Sequence, residues 1–428
     1  MIQKMFGSLK NEIFSLSIKE RLFILSAMIC GFLISADYAI IRPVSNSVFI
    51  STYSTALFPY AWLATVPLNL IIVALYNKYL PRLGIFKTYL GIASIVIAFN
   101  LLCALFLKES SWLPFLFYIW KEVYIMLMFQ QLWSVIHATI PLQKAKYLYG
   151  ILFGVGAIGA VFGSTLPGFF AVKIGSETLL FSTVATYSLL TAAFLMLLHF
   201  SGQGISRDNV EEEKKSSWNA LKHGFDLIRR SPFLPFILAI VTLMQVTSTL
   251  IDFQFNHHLE KVIPTKDLRT EYTARVLGVV HLATLTLQFF GSFLLVHFLG
   301  FKRSHLLVPL ILCVNAAGFL LFPAFAMISF SYITVKCFDF SLFGVVKEML
   351  YIPLKKDEKF RAKAIIDVFA YRSSKAIASL LILGLQFWAG MQAHLILSWT
   401  AVAILLLWCY TVVRMFRTYD PILMPESP

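Results

Sequence analysis

Charged side chains are scarce in this chain: Asp, Glu, Lys and Arg make up 14% of its 428 residues, where a soluble domain carries about 25%. That scarcity excludes an ordinary soluble fold. The hydrophobic fraction is 58%, with Phe at 40 positions, more apolar surface than a water-facing shell can cover, and only lipid accommodates it. Acid is the rarer sign, 22 residues against 36 basic ones, for a net charge of +14. In a soluble protein such an excess points to nucleic acid. Here the basic residues sit in alternate loops between apolar runs, which is the positive-inside pattern, so no nucleic-acid partner is expected. Cysteines are few and odd in number. Cys30, Cys103, Cys313, Cys337 and Cys409 lie far apart inside apolar runs, as small core residues do, rather than as a disulfide framework or metal cluster. Nucleophile elbows, Walker loops and zinc-protease signatures are also missing, so neither catalysis nor a cofactor is expected.

What the chain has in abundance is spanning-length apolar sequence. Runs lie near residues 21–41, 54–76, 86–107, 112–138, 147–172 and 177–200, then near 232–256, 276–298, 304–323, 326–352, 364–387 and 391–413. The pattern predicts an all-α membrane protein of about twelve transmembrane helices in two six-helix bundles. The first run follows Lys4, Lys10, Lys19 and Arg21 and lacks a small-residue cleavage site, so it reads as an uncleaved first helix. Pro114, Pro167 and Pro323 mark kinks or ends. Residues 201–231 are a sharp shift in composition. The charge run Glu211-Glu212-Glu213-Lys214-Lys215 precedes Trp218, Leu221, Phe225 and Ile228 on one helical face, the pattern of a cytoplasmic linker ending in a surface helix. The expected organisation is a bundle over 1–200, the linker over 201–231, and a second bundle over 232–428. A local echo supports duplication: Ile140-Pro141-Leu142 with Lys144, and Ile352-Pro353-Leu354 with Lys355 and Lys356, close the fourth and tenth spans. Loops rich in Lys and Arg, including Lys78, Arg82, Lys87, Lys302, Arg303 and Lys355–Lys363, orient both termini to the cytoplasm of the cell (inner) membrane.

Charges at bilayer depth cost roughly 2.5–3.5 kcal/mol each on the insertion scale, so those present call for partners or a wet path. They are Asp37, Lys121, Glu122, Asp252, Lys336, Asp339, Lys347, Glu348, Asp367, Arg372 and Lys375, with Arg42 just past the outer end of the first span. Lys121 and Glu122 are adjacent, about 100° apart on a helix, and cannot both face lipid cheaply. Lys336, Phe340, Phe343 and Lys347 lie near one stripe of the tenth span. Arg372 and Lys375 are one turn apart, able to face a common phosphate or carboxylate, with a bidentate fork beside a point charge. The competing account is internal pairing, of Arg372 or Lys375 with Asp367 or with a carboxylate on the fourth span. Lys347 and Glu348 lie near the cytoplasmic end, where gating and snorkelling are equal alternatives.

Other patterns carry less. Gly154-Val155-Gly156-Ala157-Ile158-Gly159 spells a dinucleotide fingerprint, yet it lies inside an apolar helix with no strand before it. Gly150, Gly154, Gly159 and Gly163 instead supply small residues for close helix packing. His257, His258 and Glu260 read as a solvated loop at the outer end of the seventh span rather than a metal site, for want of a further ligand. Trp62, Trp112 and Trp399 read as interface anchors or lipid-facing packing.

Two stretches resemble the nucleotide transporter family, the ATP/ADP translocases of obligate intracellular bacteria and plastids. The stronger runs from Phe343 through Lys347-Glu348-Met349-Leu350-Tyr351-Ile352-Pro353-Leu354 to Lys363-Ala364, Asp367-Val368, Arg372 and Lys375. The weaker runs from Glu122 through Leu132-Trp133 to Ala145-Lys146 and the glycine-rich fifth span. The resemblance implies a major-facilitator-like fold and exchange of adenine nucleotides. It implies transport roles for Glu122 and Lys375, which match the family's helix 4 glutamate and helix 11 lysine, and for Asp252 where the family has glutamate. Ser45-Asn46 stands where the family has a Lys-Asp pair, so both of those charges are missing. Each lost cation weakens binding of a triphosphate, and Arg42 is the available compensation.

The leading expectation is an alternating-access antiporter for nucleotides or a related phosphorylated anion, working as a monomer. Lys375, Arg372, Glu122, Lys121, Asp252, Lys336 and Arg42 are its candidate substrate-binding residues, and Lys347, Glu348 and Asp367 its candidate gates. One rival is a proton-coupled importer of another small metabolite, with Glu122, Asp252 and Asp367 as proton carriers. Another is a membrane enzyme or non-transporting receptor, opposed by the missing catalytic constellation and soluble domain.

Overall fold

The computed structural model describes residues 17–140, 142–201, 228–288, 292–351, 366 and 370–423, and contains no strand among them. Twelve helices carry the described chain: α1 (Ile18–Tyr53), α2 (Phe58–Phe106), α3 (Leu113–Thr139), α4 (Leu142–Ile174), α5 (Ser182–Ser201), α6 (Leu234–Val262), α7 (Lys266–Thr286), α8 (Ser292–Leu321), α9 (Phe325–Phe340), α10 (Leu342–Leu350), α11 (Tyr371–Ala389) and α12 (Ala393–Leu423). In a bilayer every backbone N–H and C=O must be satisfied within its own segment, which is why a chain this apolar folds as helices. Pro114 and Pro235 sit in the first turns of α3 and α6, where a missing N–H costs nothing. Pro323 falls between α8 and α9.

Helices and expected spans do not correspond one to one. Among the described residues, seven stretches are long and apolar enough to cross a membrane, or eight if α9 and α10 are one bent span. One of them, Thr55–Phe106, is 52 residues long, far beyond the ~20 a single crossing needs, and breaks at Gly84 (φ 76°, ψ 163°). Helix α8 breaks likewise at Gly300 (φ 73°, ψ 173°). Helix α3, with Lys121 and Glu122 in its first half, is not among the seven. The expected stripe of Lys336, Phe340, Phe343 and Lys347 is not continuous: the helix bends by 40° between α9 and α10, where Ser341 leaves helical geometry (φ −127°, ψ −90°).

The chain forms two compact units. The first comprises Met1–Thr52, Pro67–Asn209 and Thr265–Leu282. Its core runs from Phe23, Cys30 and Ile34 on α1 to Tyr89 on α2, Tyr124 and Met128 on α3, and Leu190 and Phe194 on α5. The glycines of α4 act as packing residues. A Cβ on Gly159 would lie 2.8 Å from the Phe32 Cα, and one on Gly163 2.7 Å from the Ala36 Cα, so α4 and α1 meet backbone to backbone. No dinucleotide turn is formed.

The second unit comprises Tyr53–Val66, Val210–Pro264 and Ala283–Pro428, with α6 packed against α9, α11 and α12. Its exposed side chains include large apolar ones: Phe387 and Trp388 are each 86% exposed. The linker's charge run and Trp218, Leu221 and Phe225 lie outside the described residues, as do Pro141 and the Ile352–Lys356 segment. All five cysteines are free thiols, with Cys30, Cys103 and Cys337 buried.

Candidate substrate-binding residues

In the first unit, the adjacent charges of α3 both turn toward α1. Lys121 is 1% exposed; its ammonium donates to Asn46 Oδ1 at 2.7 Å and lies 3.4 Å from the centre of the Tyr118 ring. Glu122 is 25% exposed, 3.9 Å from the Lys121 ammonium, and accepts from the Tyr38 hydroxyl at 3.4 Å. The Arg42 guanidinium stands 6.0 Å from the centre of the Tyr38 ring. Tyr38, Arg42 and Asn46 are one turn apart on α1 and share a face. This cluster sets two cations beside one part-exposed carboxylate, Glu122, a composition suited to an anion. Asp37, one residue from Tyr38, is buried and accepts from the Tyr124 hydroxyl at 2.9 Å.

The second unit carries two further groups. The Lys336 ammonium pairs with Asp252 Oδ2 at 3.1 Å and donates to Ser248 Oγ at 3.1 Å. Asn256 donates to Asp252 Oδ1 at 2.8 Å. Lys336 and Asp252 thus form an internal ion pair, a pairing other than those weighed from the sequence. Buried Asp339 accepts from Gln245 at 2.8 Å. The Lys375 ammonium lies 5.6 Å over the Trp62 ring, a cation–π arrangement. Trp62 is 3% exposed and stacks on Phe58, which corrects the lipid-facing reading of that tryptophan. Trp112 and Trp399, at 61% and 60% exposed, fit it. Arg372 lies on α11 one turn before Lys375, its side chain outside the described residues, and Asp367 also lies outside them. Lys347 and Glu348 are neighbours on α10 with charges 3.9 Å apart.

The seventh-span histidines are not in a loop. His257, His258 and Glu260 lie within α6. Glu260 accepts from the Thr55 backbone N–H at 2.9 Å and its hydroxyl at 2.5 Å. The His257 and His394 rings stack 3.4 Å apart. No group of three or more metal-ligating side chains occurs among the described residues. The reading from sequence missed the neutral partners of the charges, namely Tyr38, Asn46, Ser248 and Asn256. Only the one-turn spacing of Tyr38, Arg42 and Asn46 could have pointed to any of them.

Residues 321–419 match the family model described as TLC ATP/ADP transporter. The chain is 22% identical to ADP,ATP carrier protein 1 of Chlamydia muridarum, covering 97% of this chain and 92% of that protein. It is 22% identical to ADP,ATP carrier protein 3 of Rickettsia bellii, covering 82% and 76%. Among solved structures it is similar to the nucleoside transporter NupG, with a TM-score of 0.62 at 13% identity over 92% of this chain and 99% of that one. A bacterial homolog of the lysosomal transporter Spinster gives 0.60 at 13% identity over 95% and 99%. The chain is thus a multi-pass, all-helical membrane protein with a major-facilitator-like fold, and its sequence resembles the TLC ATP/ADP transporters.

Proposed function

We propose that this chain is an alternating-access transporter exchanging nucleotides, or a related phosphorylated anion, across the membrane. It moves its ligand and does not transform it. Similarity to ADP,ATP carriers along 97% of its length supports the reading, but one structural observation carries it. The face formed by Arg42, Lys121 and Glu122 bears two cations and one carboxylate, with Lys121 1% exposed, and charge held out of water is costly unless it is used. Lys121 and Arg42 of the first unit are proposed as phosphate-binding residues, and so, separately, are Lys375 and Arg372 of the second. Lys336 and Asp252 are proposed to tune the second group as a pair. Glu122 competes with substrate for Lys121, and Lys347, Glu348 and Asp367 serve as gates. The proposal further places a monomer in the cell (inner) membrane, organised as two six-helix bundles, with both termini cytoplasmic. The test is counter-exchange in proteoliposomes loaded with ADP or ATP and presented with labelled nucleotide. Uptake that requires internal nucleotide is expected; no exchange with any nucleotide rejects the reading.

The second reading, a proton-coupled importer, is favoured by the buried carboxyl of Asp37, which a hydroxyl rather than a cation holds at Oδ2. Uptake abolished by an uncoupler and indifferent to internal nucleotide would select it.

A further inference from the structure

Helix α10 has only nine residues and carries Lys347 and Glu348 in its last turn. A helix that short does not hold itself, because so few backbone bonds offset the cost of nucleating it. Nor does α9 hold it by continuity. The chain bends by 40° at Ser341, which lies outside helical geometry (φ −127°, ψ −90°). The direction of α10 is therefore set by what the rest of the second unit gives it. Two side chains grip its backbone, one toward each end. Gln288, just past α7, donates from Nε2 to the Phe340 carbonyl at the bend, at 2.9 Å. His305 of α8 meets the Val346 carbonyl through Nε2, also at 2.9 Å. A carbonyl oxygen only accepts, so Nε2 carries the proton in this bond. His305 is 3% exposed, and its ring meets Phe416 of α12 edge to face, centroids 5.4 Å apart. Packing thus fixes the histidine, and the carbonyl it holds belongs to the residue immediately before Lys347.

We infer that His305 is a positioning residue for the turn that bears Lys347 and Glu348. By holding the Val346 carbonyl, its Nε2–H fixes α10 against α8 and so sets where those two side chains stand. The inference rests on the reading of Lys347 and Glu348 as gates. Of the two grips, that of His305 is the more shielded from water, where a hydrogen bond is stronger.

The experiment compares His305→Leu and His305→Gln with the unaltered full-length chain. Leucine occupies the ring's place without a donor, whereas glutamine offers the carbonyl an N–H of similar reach. Amide hydrogen exchange in detergent reads the anchor directly. His305→Leu should speed exchange across Leu342–Leu350 about three- to tenfold, the worth of one hydrogen bond, and leave α6 unchanged. His305→Gln should restore most of that protection. Unchanged exchange over Leu342–Leu350 in His305→Leu, an equal rise in α6, or no rescue by His305→Gln overturns the inference. Should His305→Leu fail to accumulate, His305→Phe, which keeps a ring but no donor, is read in the same way. Counter-exchange of labelled nucleotide in proteoliposomes reads the consequence. A misplaced gate slows turnover and spares binding, so His305→Leu should lower the maximal rate about three- to tenfold and move KM less than about twofold. A loosened α10 with an unchanged rate supports the positioning and overturns the gating reading beneath it. If the unaltered protein exchanges no nucleotide, the transport reading fails separately, and hydrogen exchange alone decides the inference.

Discussion

At the scale of single residues, the structure sorts the buried charges by what holds them. Lys336 and Asp252 hold each other at 3.1 Å. Removing one partner of such a pair costs more than removing both, because a lone buried charge remains. Lys375 is set differently: its ammonium lies over the aromatic face of Trp62, a cation–π arrangement. Lys375→Gln should therefore lower nucleotide exchange efficiency by about ten- to hundredfold, the range of one charged hydrogen bond at ~1.5–3 kcal/mol. Lys375→Arg should retain part of it, since the charge survives and the geometry changes. Initial rates of counter-exchange check both; full activity in Lys375→Gln would remove this side chain from the site. The charges themselves were legible in sequence because ionisable residues stand out against apolar runs. Their neutral partners were not, because Asn46, Ser248 and Tyr38 look like any polar residue until the facing helix is in place.

At the scale of elements, glycine does two unlike jobs. In α4, Gly159 and Gly163 let the helix touch the backbone of α1, where even a Cβ would meet Phe32 or Ala36. Gly159→Val should cost on the order of 1–3 kcal/mol by overpacking and greatly reduce the yield of monodisperse protein by size exclusion. Gly91→Ala, with nothing within 4 Å of the added Cβ, should leave yield unchanged. Equal yields for the two variants would show that α1 and α4 do not meet as described. Gly84 and Gly300 instead permit a positive φ with open space around them. Each ends one apolar helix and begins the next, in Leu83-Gly84-Ile85-Phe86-Lys87 and Leu299-Gly300-Phe301-Lys302. The same backbone device thus recurs in both units, half a chain apart. Small residues in α4 were readable as packing residues from their spacing. The breaks were not placed in advance, because apolar sequence continues on both sides of each glycine.

At the scale of the whole molecule, the proposed orientation, with both termini cytoplasmic, rests on loop charge. A fluorescent protein fused to the C-terminus should fluoresce, and a periplasmic phosphatase fused there should be inactive, when the chain is made in bacteria. The opposite pair of results would invert the assignment of every loop. Helix α6 illustrates how far composition carries at this scale. Its apolar stretch was evident, yet His257, His258 and Glu260 belong to the helix and not to the loop after it. Glu260 is satisfied there by the backbone and hydroxyl of Thr55, more than two hundred residues away in sequence.

Composition alone determined that this chain folds in lipid as helices, because backbone polar groups without water have few other ways to be satisfied. It also determined where charge would be costly, and the resemblance in its tenth and eleventh spans pointed to anionic cargo. Tertiary structure decided which side chains those charges meet. That depends on distances of a few ångströms between helices remote in sequence, such as Lys121 to Asn46 and Lys336 to Asp252, and the strength of a buried charge is set by its nearest partner.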